Sequence, residues 1–531
     1  MKPGSFALVL HAHLPFVRHP EHGRSLEERW FFEALIESYL PLVDAFDRLA
    51  EEGVPFAVTM SVTPPLQAML RDRFLMRRFE EHLSRLEVLA AHEEVRLAND
   101  ATFLPLARFY REEFRRVRRI WERIAGDVVG ALAKHHRTGN VELMTSSATH
   151  AFLPGLLPTP SGIRSQLELG MRAFEANIGE PANGAWLPEC AYHPDLDDAL
   201  AKAGVRFTVI DRHGLDHATP RPPHGVLRPI ISPSGIAFFA RDPSSSEQVW
   251  SRDQGYPGDF IYRDFYRDIG FDLPEEHLYG ETVGEGHRLM TGIKYHRITG
   301  NTSHKLPYQP ERARERALLH AKDFARKRAE QMRAALGEVP FPIIVSPYDA
   351  ELFGHWWFEG PVFIEGVFRS LAEESETIRA VTLRGYLEEN PLLVQATPAA
   401  STWGEMGHGE VWTGHRSAWM WRHVHHATRT VSWATKEYAS AKGEQGRALD
   451  QMARELLLLQ SSDWAFIVHT GTSTRYAEAR FRAHLHAVFH LGHLAGKPDW
   501  DDADYAFVDD LETRDNFLEG FGGGALRSCF S

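Results

Sequence analysis

The sequence predicts an α/β fold, an incomplete (β/α)7 barrel with an inserted helical layer and an α-helical C-terminal domain. Three observations lead to this prediction. Seven short apolar runs have the composition of buried strands, amphipathic segments separate several of them, and polar side chains follow each run at its carboxyl end. A doubly wound open sheet is the alternative, but no glycine-rich phosphate loop follows any of the runs.

The candidate strands occupy the first two thirds of the chain, at residues 6–10, 56–60, 141–145, 184–187, 205–210, 236–240 and 342–346. Between the second and third runs, Leu, Phe and Trp recur at helical spacing over about residues 67–135. This segment is far longer than one crossover helix, so we interpret it as an inserted helical layer. We assign residues 1–396 to the barrel with this insertion.

Helical periods dominate from residue 397 onwards. They predict helices over residues 417–441, 444–460 and 473–495, and we therefore expect residues 397–495 to form a helical domain. Residues 496–531 combine several aspartates with a run of glycines and are expected to form a peripheral tail.

Composition narrows the classes of protein and partner. The chain has 531 residues, 43% of them hydrophobic, which allows a large core and two domains. Its net charge is −13 and it has no long basic run, which argues against a nucleic-acid partner. Two cysteines, Cys190 and Cys529, cannot form a disulfide framework, and no apolar run reaches the length of a signal peptide or membrane span. We expect a soluble cytoplasmic protein without a membrane partner, and no feature predicts an oligomeric state.

Two carboxylates, Glu189 and Asp349, are the catalytic candidates. Each follows a predicted strand by one to three residues, so a barrel brings both to the same rim. Two carboxyl groups facing a glycosidic bond are the minimum for hydrolysis or transfer of a sugar, because one attacks or stabilises while the other delivers a proton. The competing interpretation is that both belong to structural ion pairs, which are commoner than catalytic pairs.

The residues behind Asp349 reinforce this choice. Glu351, His355, Trp356 and Trp357 follow a buried strand directly, where unpaired charges are costly unless they line a site. Trp357 is therefore expected to contact substrate. Helix capping by Asp349 is the simpler alternative, but capping does not call for two adjacent indoles.

His11 and His13 offer a competing chemistry. Two histidines at i and i+2 at a strand end, with Asp349 nearby, could bind a metal ion, as in metal-dependent carbohydrate deacetylases. In a sugar-cleaving enzyme the same imidazoles would hydrogen-bond ring hydroxyls. Spacing does not separate the two, although neither an HExxH nor a CxxC motif supports the metal.

Five segments resemble, in order, the five sequence regions of glycoside hydrolase family 57. They are HAHLPF (11–16), TSSATHAFLP (145–154), WLPECAY (186–192), SPYDAELFGHWW (346–357) and SSDWAF (461–466). Within that family the chain looks most similar to bacterial 1,4-α-glucan branching enzymes and intracellular α-amylases.

The resemblance implies a (β/α)7 barrel with a helical C-terminal domain, a retaining mechanism on α-1,4-glucan such as amylose or glycogen, and no metal or organic cofactor. It implies that Glu189 is the nucleophile and Asp349 the general acid/base. Together with Trp357, the substrate-binding residues that it implies are His11, His13, His150, Arg263, Gly292, Trp403 and Asp463.

Two departures from the branching enzymes bear on the reaction. Their long loop after the fifth strand carries a tyrosine, whereas residues 211–236 here are shorter and contain none, and Thr472 stands where Gln is usual. Transfer wins over hydrolysis only if the acceptor is held and water is excluded. We therefore expect a branching enzyme with substantial hydrolytic activity. The alternatives are an α-amylase, a 4-α-glucanotransferase, the deacetylase above, or a glucan-binding protein with an inactive site.

Overall fold

Strand β1, Gly4–Ala12, lies inside the larger sheet and has parallel neighbours on both sides. The computed structural model describes residues 3–251, 255–281 and 288–530. Its strands are β1 Gly4–Ala12, β2 Val58–Val62, β3 Val141–Ser146, β4 Ala185–Trp186, β5 Phe207–Ile210, β6 Ile230–Ile231, β7 Ala237–Ala240, β8 Ile343–Asp349, β9 Ile378–Ala380 and β10 Val394–Gln395.

The parallel strands follow one another around an interrupted barrel. β1 pairs with β2 and β8, and β3 pairs with β2 and β4. A parallel bridge between Gly184 and Phe207 leads to β5, which pairs with β7. After β7, the backbone N–H of Asp242 donates to the carbonyl of Val345 in β8 over 2.8 Å. The predicted fold class is confirmed, and each of the seven predicted runs overlaps one strand of this barrel.

Most of the remaining described chain is helical. The helices are α1 Leu26–Ala34, α2 Leu40–Glu51, α3 Pro64–Arg71, α4 Arg73–Arg96, α5 Leu104–Arg123, α6 Val128–Thr138, α7 Pro160–Ile178, α8 Asp197–Lys202, α9 Arg212–Asp216, α10 Pro243–Trp250, α11 Ile269–Asp272, α12 Pro310–Ala335, α13 Gly360–Glu373, α14 Leu383–Glu389, α15 Glu410–Thr413, α16 Ala418–Glu437, α17 Gly443–Leu459, α18 Ser462–Thr470, α19 Thr474–Ala495 and α20 Asp502–Arg514. A π-helical turn, Leu35–Tyr39, joins α1 to α2.

Helices α4, α5 and α6 form the inserted layer. The buried residues of α4 include Leu75, Phe79, Leu83 and Leu86, which are spaced at three or four positions and so share one face. That stripe is the pattern that predicts a helix here. In the described part of the chain, no helix is long and apolar enough to cross a membrane.

Residues 496–530 pack into the helical C-terminal region instead of forming the expected peripheral tail. Helix α20 starts with a capping box at Asp501. Beyond it, Phe517, Leu526 and Phe530 are fully buried, and the ring of Phe517 lies 5.6 Å from that of Phe16. These few apolar residues are scattered among aspartates and glycines, so the composition of the segment did not indicate that it would be buried.

Candidate active site

Glu189 follows β4 directly and lies at the carboxyl end of the barrel. It has a φ of 66° and its neighbour Cys190 a φ of 49°, which is the left-handed region that non-glycine residues adopt only where the surroundings fix them. Two donors orient the carboxylate. Trp403 donates from Nε1 to Oε2 over 3.0 Å, and Ser462 donates from Oγ to Oε1 over 3.1 Å.

Burial raises the pKa of Glu189 to about 7, against the hydrogen bond from Trp403, which lowers it. The charge of Asp463 raises it further, while His13 and Ser462 lower it. The carboxyl is therefore partly ionised near neutral pH.

Asp349 ends β8 and is aligned with His11 of β1 in the parallel ladder. Burial, followed by the charges of Glu351 and Glu189, holds its pKa well above the usual range, and Arg241 opposes this. The raised pKa of Asp349 favours its protonated form. One group that can attack and one that can donate a proton are what cleavage of a glycosidic bond requires.

A chain of hydrogen bonds runs from β2 to Glu189 through two imidazoles. Nδ1 of His11 lies 2.6 Å from Ser61 Oγ, and its Nε2 lies 3.0 Å from Nε2 of His150. Nδ1 of His150 lies 2.9 Å from Ser462 Oγ, the hydroxyl that donates to Glu189. We assign the tautomers from this order: His11 donates to His150, and His150 donates to Ser462. Burial lowers the pKa of both imidazoles, so both are neutral.

His13 lies beside this chain. Its ring stacks on that of His150 with centroids 3.8 Å apart, its Nδ1 lies 2.9 Å from Thr63 Oγ1, and its Nε2 lies 3.2 Å from Asp463. The structure thus brings the predicted residues His11, His13, His150, Trp403 and Asp463 together around Glu189.

The arrangement does not suit a metal ion at the histidines. Both nitrogens of His11 and both nitrogens of His13 have hydrogen-bond partners within the protein. Across the described ranges, the group close enough to hold a metal ion is a buried one elsewhere, Glu455, His484 and Asp515. Arg480 donates to Asp515 over 3.0 Å and supplies positive charge there.

Three predicted substrate-binding residues lie apart from Glu189. Trp357 is 2% exposed and packs its indole against Tyr262 and Phe363, so it belongs to the core. The exposed indole is that of its neighbour Trp356, at 55%. The sequence shows two adjacent indoles but not which one faces inward.

Arg263 and Gly292 lie together at a different place. Both line a cavity of about 320 Å³ whose walls include neither Glu189 nor Asp349. The Arg263 guanidinium donates to Glu37 over 2.7 Å and stacks 4.0 Å above the ring of Phe358, which leaves it only 5% exposed. The guanidinium of Arg263 is therefore engaged in an ion pair within the protein.

The segment after β5 is folded against the helical side of the molecule. It contains α9 and β6, and β6 pairs with β7 and β10. A bridge between Thr219 and Thr397 fastens it, and Nε2 of His213 lies 3.0 Å from the carbonyl of Gly407. Thr472, the second departure, is exposed, with its hydroxyl 3.2 Å from that of Thr470.

Sequence reasoning missed Ser462 and Tyr39. Ser462 lies within the quoted SSDWAF motif, so the motif was the available signal, but the spacing does not reveal a bond to a residue 273 positions away. Tyr39 donates to Glu351 from the π-helical turn, and no motif marks it.

Comparison with known proteins places these features in context. Residues 7–395 match the family model described as glycosyl hydrolase family 57, and residues 423–521 match one described as 1,4-alpha-glucan branching enzyme, C-terminal. A 1,4-alpha-glucan branching enzyme of Thermococcus kodakarensis is 32% identical, over 97% of this chain and 77% of the relative.

Solved structures resemble the whole chain. The alpha-amylase AmyC of Thermotoga maritima has a TM-score of 0.92 at 39% identity, covering 100% of this chain and 99% of that one. The GH57-type branching enzyme of Pyrococcus horikoshii has a TM-score of 0.85 at 30% identity, covering 99% and 96%.

Proposed function

The chain belongs to glycosyl hydrolase family 57, and from that membership we propose that it is a retaining 1,4-α-glucan branching enzyme with a hydrolytic side activity. The observation that carries the proposal is the pair of carboxyls at the barrel rim: Glu189, fixed by Trp403 and Ser462, and Asp349, whose pKa the charge of Glu189 helps to raise.

The reaction follows from these two groups. Asp349 donates its proton to the glycosidic oxygen while Glu189 attacks the anomeric carbon, which gives a glucosyl-enzyme and a released chain end. Asp349, now a carboxylate, then removes the proton from the 6-hydroxyl of an acceptor glucan as that oxygen displaces Glu189. Water in place of the acceptor gives hydrolysis.

The folded segment after β5 supports the hydrolytic part of the proposal. It packs against β10 and Gly407, and it carries no tyrosine that could hold an acceptor or exclude water. Water and the acceptor hydroxyl compete for the glucosyl-enzyme, and the exclusion of water then depends on the acceptor chain alone. The likeness to AmyC, which is described as an alpha-amylase, favours hydrolysis alone as the second candidate function.

Both parts of the chain contribute to this site. We propose that residues 1–396 supply the catalytic carboxyls, and that residues 397–495 orient Glu189 through Trp403 and Ser462 and offer Asp463 to the glucan. Of the residues predicted from the sequence, we retain His11, His13 and His150 as contacts to the sugar at the cleaved bond. The cytoplasmic location predicted from the cysteines remains part of the proposal.

Incubation with amylose tests the function. The products are divided, one half is treated with a debranching enzyme, and new reducing ends are counted in both. We expect α-1,6 branches together with some reducing ends in the untreated half. Glu189→Gln should abolish turnover by at least about 1,000-fold while amylose retention persists. Reducing ends without branches would establish the amylase instead, and normal turnover by Glu189→Gln would disprove the nucleophile assignment.

A further inference from the structure

Three consecutive residues of the π-helical turn Leu35–Tyr39 contact the segment that follows Asp349. Tyr39 donates from its hydroxyl to Glu351 Oε1. Ser38 Oγ accepts from the backbone N–H of His355 over 3.0 Å, and Glu37 Oε2 lies 2.9 Å from Nδ1 of the same residue. π-Helical turns are rare in proteins, and those that occur are often found at functional sites. This one fixes the path of the chain behind the proposed acid.

The approach of the two segments is close. A Cβ on Gly354, which has a φ of 126°, would lie 1.8 Å from the carbonyl oxygen of Glu37. Only glycine satisfies both the backbone conformation and the contact. The segment from Asp349 to His355 is therefore held rigidly against the turn.

Glu351, like Glu37, is a carboxylate in this contact that the mechanism above does not use. It is 8% exposed, and Oε1 accepts from both the hydroxyl of Tyr39 and the backbone N–H of His13, the latter over 3.2 Å. Within the ranges that the structure describes, no arginine or lysine forms an ion pair with Glu351. When only neutral groups donate to a buried carboxylate, no opposite charge compensates it. Most of its electrostatic field then acts on the neighbouring groups.

We propose that Glu351 is a positioning residue for Asp349. Its fixed negative charge keeps Asp349 protonated until the departing sugar oxygen takes up that proton. This inference rests on the proposed function. Glu351 exchanges no proton in the cycle: the proton leaves Asp349 as the glycosidic bond breaks and returns to it from the acceptor hydroxyl.

The groups around the pair are consistent with this role. Glu351, Glu189 and Arg241 face Asp349, and Tyr39 and His13 face Glu351. After burial, the charge of Glu351 is the largest cause of the raised pKa of Asp349. Burial also raises the pKa of Glu351, and the hydrogen bond from Tyr39 lowers it, so Tyr39 helps to keep Glu351 ionised.

The test is the pH dependence of kcat on amylose for Glu351→Gln, which keeps an acceptor oxygen and removes the charge. We expect the alkaline limb to move to lower pH by roughly one unit or more, with little loss of kcat at the acidic end. Glu351→Asp keeps the negative charge, so its alkaline limb should lie much closer to the wild-type pH. Turnover of a 4-nitrophenyl maltooligoside, whose leaving group needs no proton, should change little.

Two further variants keep the test decisive. Tyr39→Phe should move the alkaline limb in the same direction and serves if Glu351→Gln does not fold. Glu142→Gln removes a buried carboxylate near the opposite end of the barrel, where Glu142 accepts from the backbone N–H of Arg384, and should leave the limb in place. An equal loss of kcat at every pH, or an unmoved limb, overturns the inference. Absence of glucan turnover in the wild-type protein overturns the proposed function instead.

Discussion

Trp403 donates a hydrogen bond from its indole Nε1 to Oε2 of Glu189 over 3.0 Å, although the two residues are 214 positions apart. The backbone N–H of Trp403 also donates to the carbonyl of Glu189, over 3.0 Å. Two bonds from one residue thus fix both the main chain and the carboxylate of the proposed nucleophile. They also explain how Glu189 keeps its left-handed backbone conformation.

Replacement of Trp403 by Phe should lower kcat on amylose by about 10- to 100-fold, because a hydrogen bond to a charged group is worth roughly 1.5–3 kcal/mol. The acidic limb of the pH profile should also move to higher pH. The hydrogen bond from Trp403 lowers the pKa of Glu189, so its loss raises that pKa. Trp433→Phe on α16 is the matched control, because this indole is 58% exposed. Equal kcat for both variants would show that the bond does not support catalysis.

The wild-type profile of kcat/KM against pH should fall on its acidic side with an apparent pKa near 7. Glu189 must be ionised to attack, and its pKa is raised to about 7, so activity is lost as the pH falls through that value. Asp349 must stay protonated, and its raised pKa delays the alkaline fall. The apparent values belong to the interacting pair.

Thermal melting at each pH separates this effect from unfolding. Constant kcat/KM from pH 8 down to pH 5 would rule out a nucleophile with a raised pKa at this position.

Phe517→Ala should destabilise the protein by about 3–5 kcal/mol, because removal of a fully buried phenyl ring leaves a cavity. The melting temperature measures this loss. Leu392→Ala is the control, since Leu392 is 83% exposed and its truncation should cost less than about 0.5 kcal/mol. If the two variants melted together, residues 496–530 would be peripheral after all.

The barrel could be predicted because its strands are short apolar runs with polar residues immediately behind them. The run 343–345 is a clear example, since Ile-Ile-Val is fully buried in β8 and Asp349 ends the strand. The proposed catalytic carboxyls could be chosen for the same reason: a strand end fixes the position of the next few residues whatever the rest of the chain does.

Contacts between distant segments could not be predicted in this way. His13 and Asp463 are 450 positions apart, and Tyr39 and Glu351 are 312 apart, so only the folded chain brings them together. The burial of Trp357 could not be predicted for a local reason: adjacent residues in a turn face opposite directions, and hydrophobicity alone does not distinguish a core indole from a surface one. Nothing in the motif of Arg263 reveals its partner Glu37, and its contact with substrate stays a prediction.

The serine that donates to Glu189 begins α18, more than 270 residues downstream of its acceptor. A ribosome therefore releases both carboxyls long before it releases the group that aims one of them. A polypeptide that has reached Asp349 but not residue 462 therefore contains both carboxyls without the hydroxyl that orients Glu189.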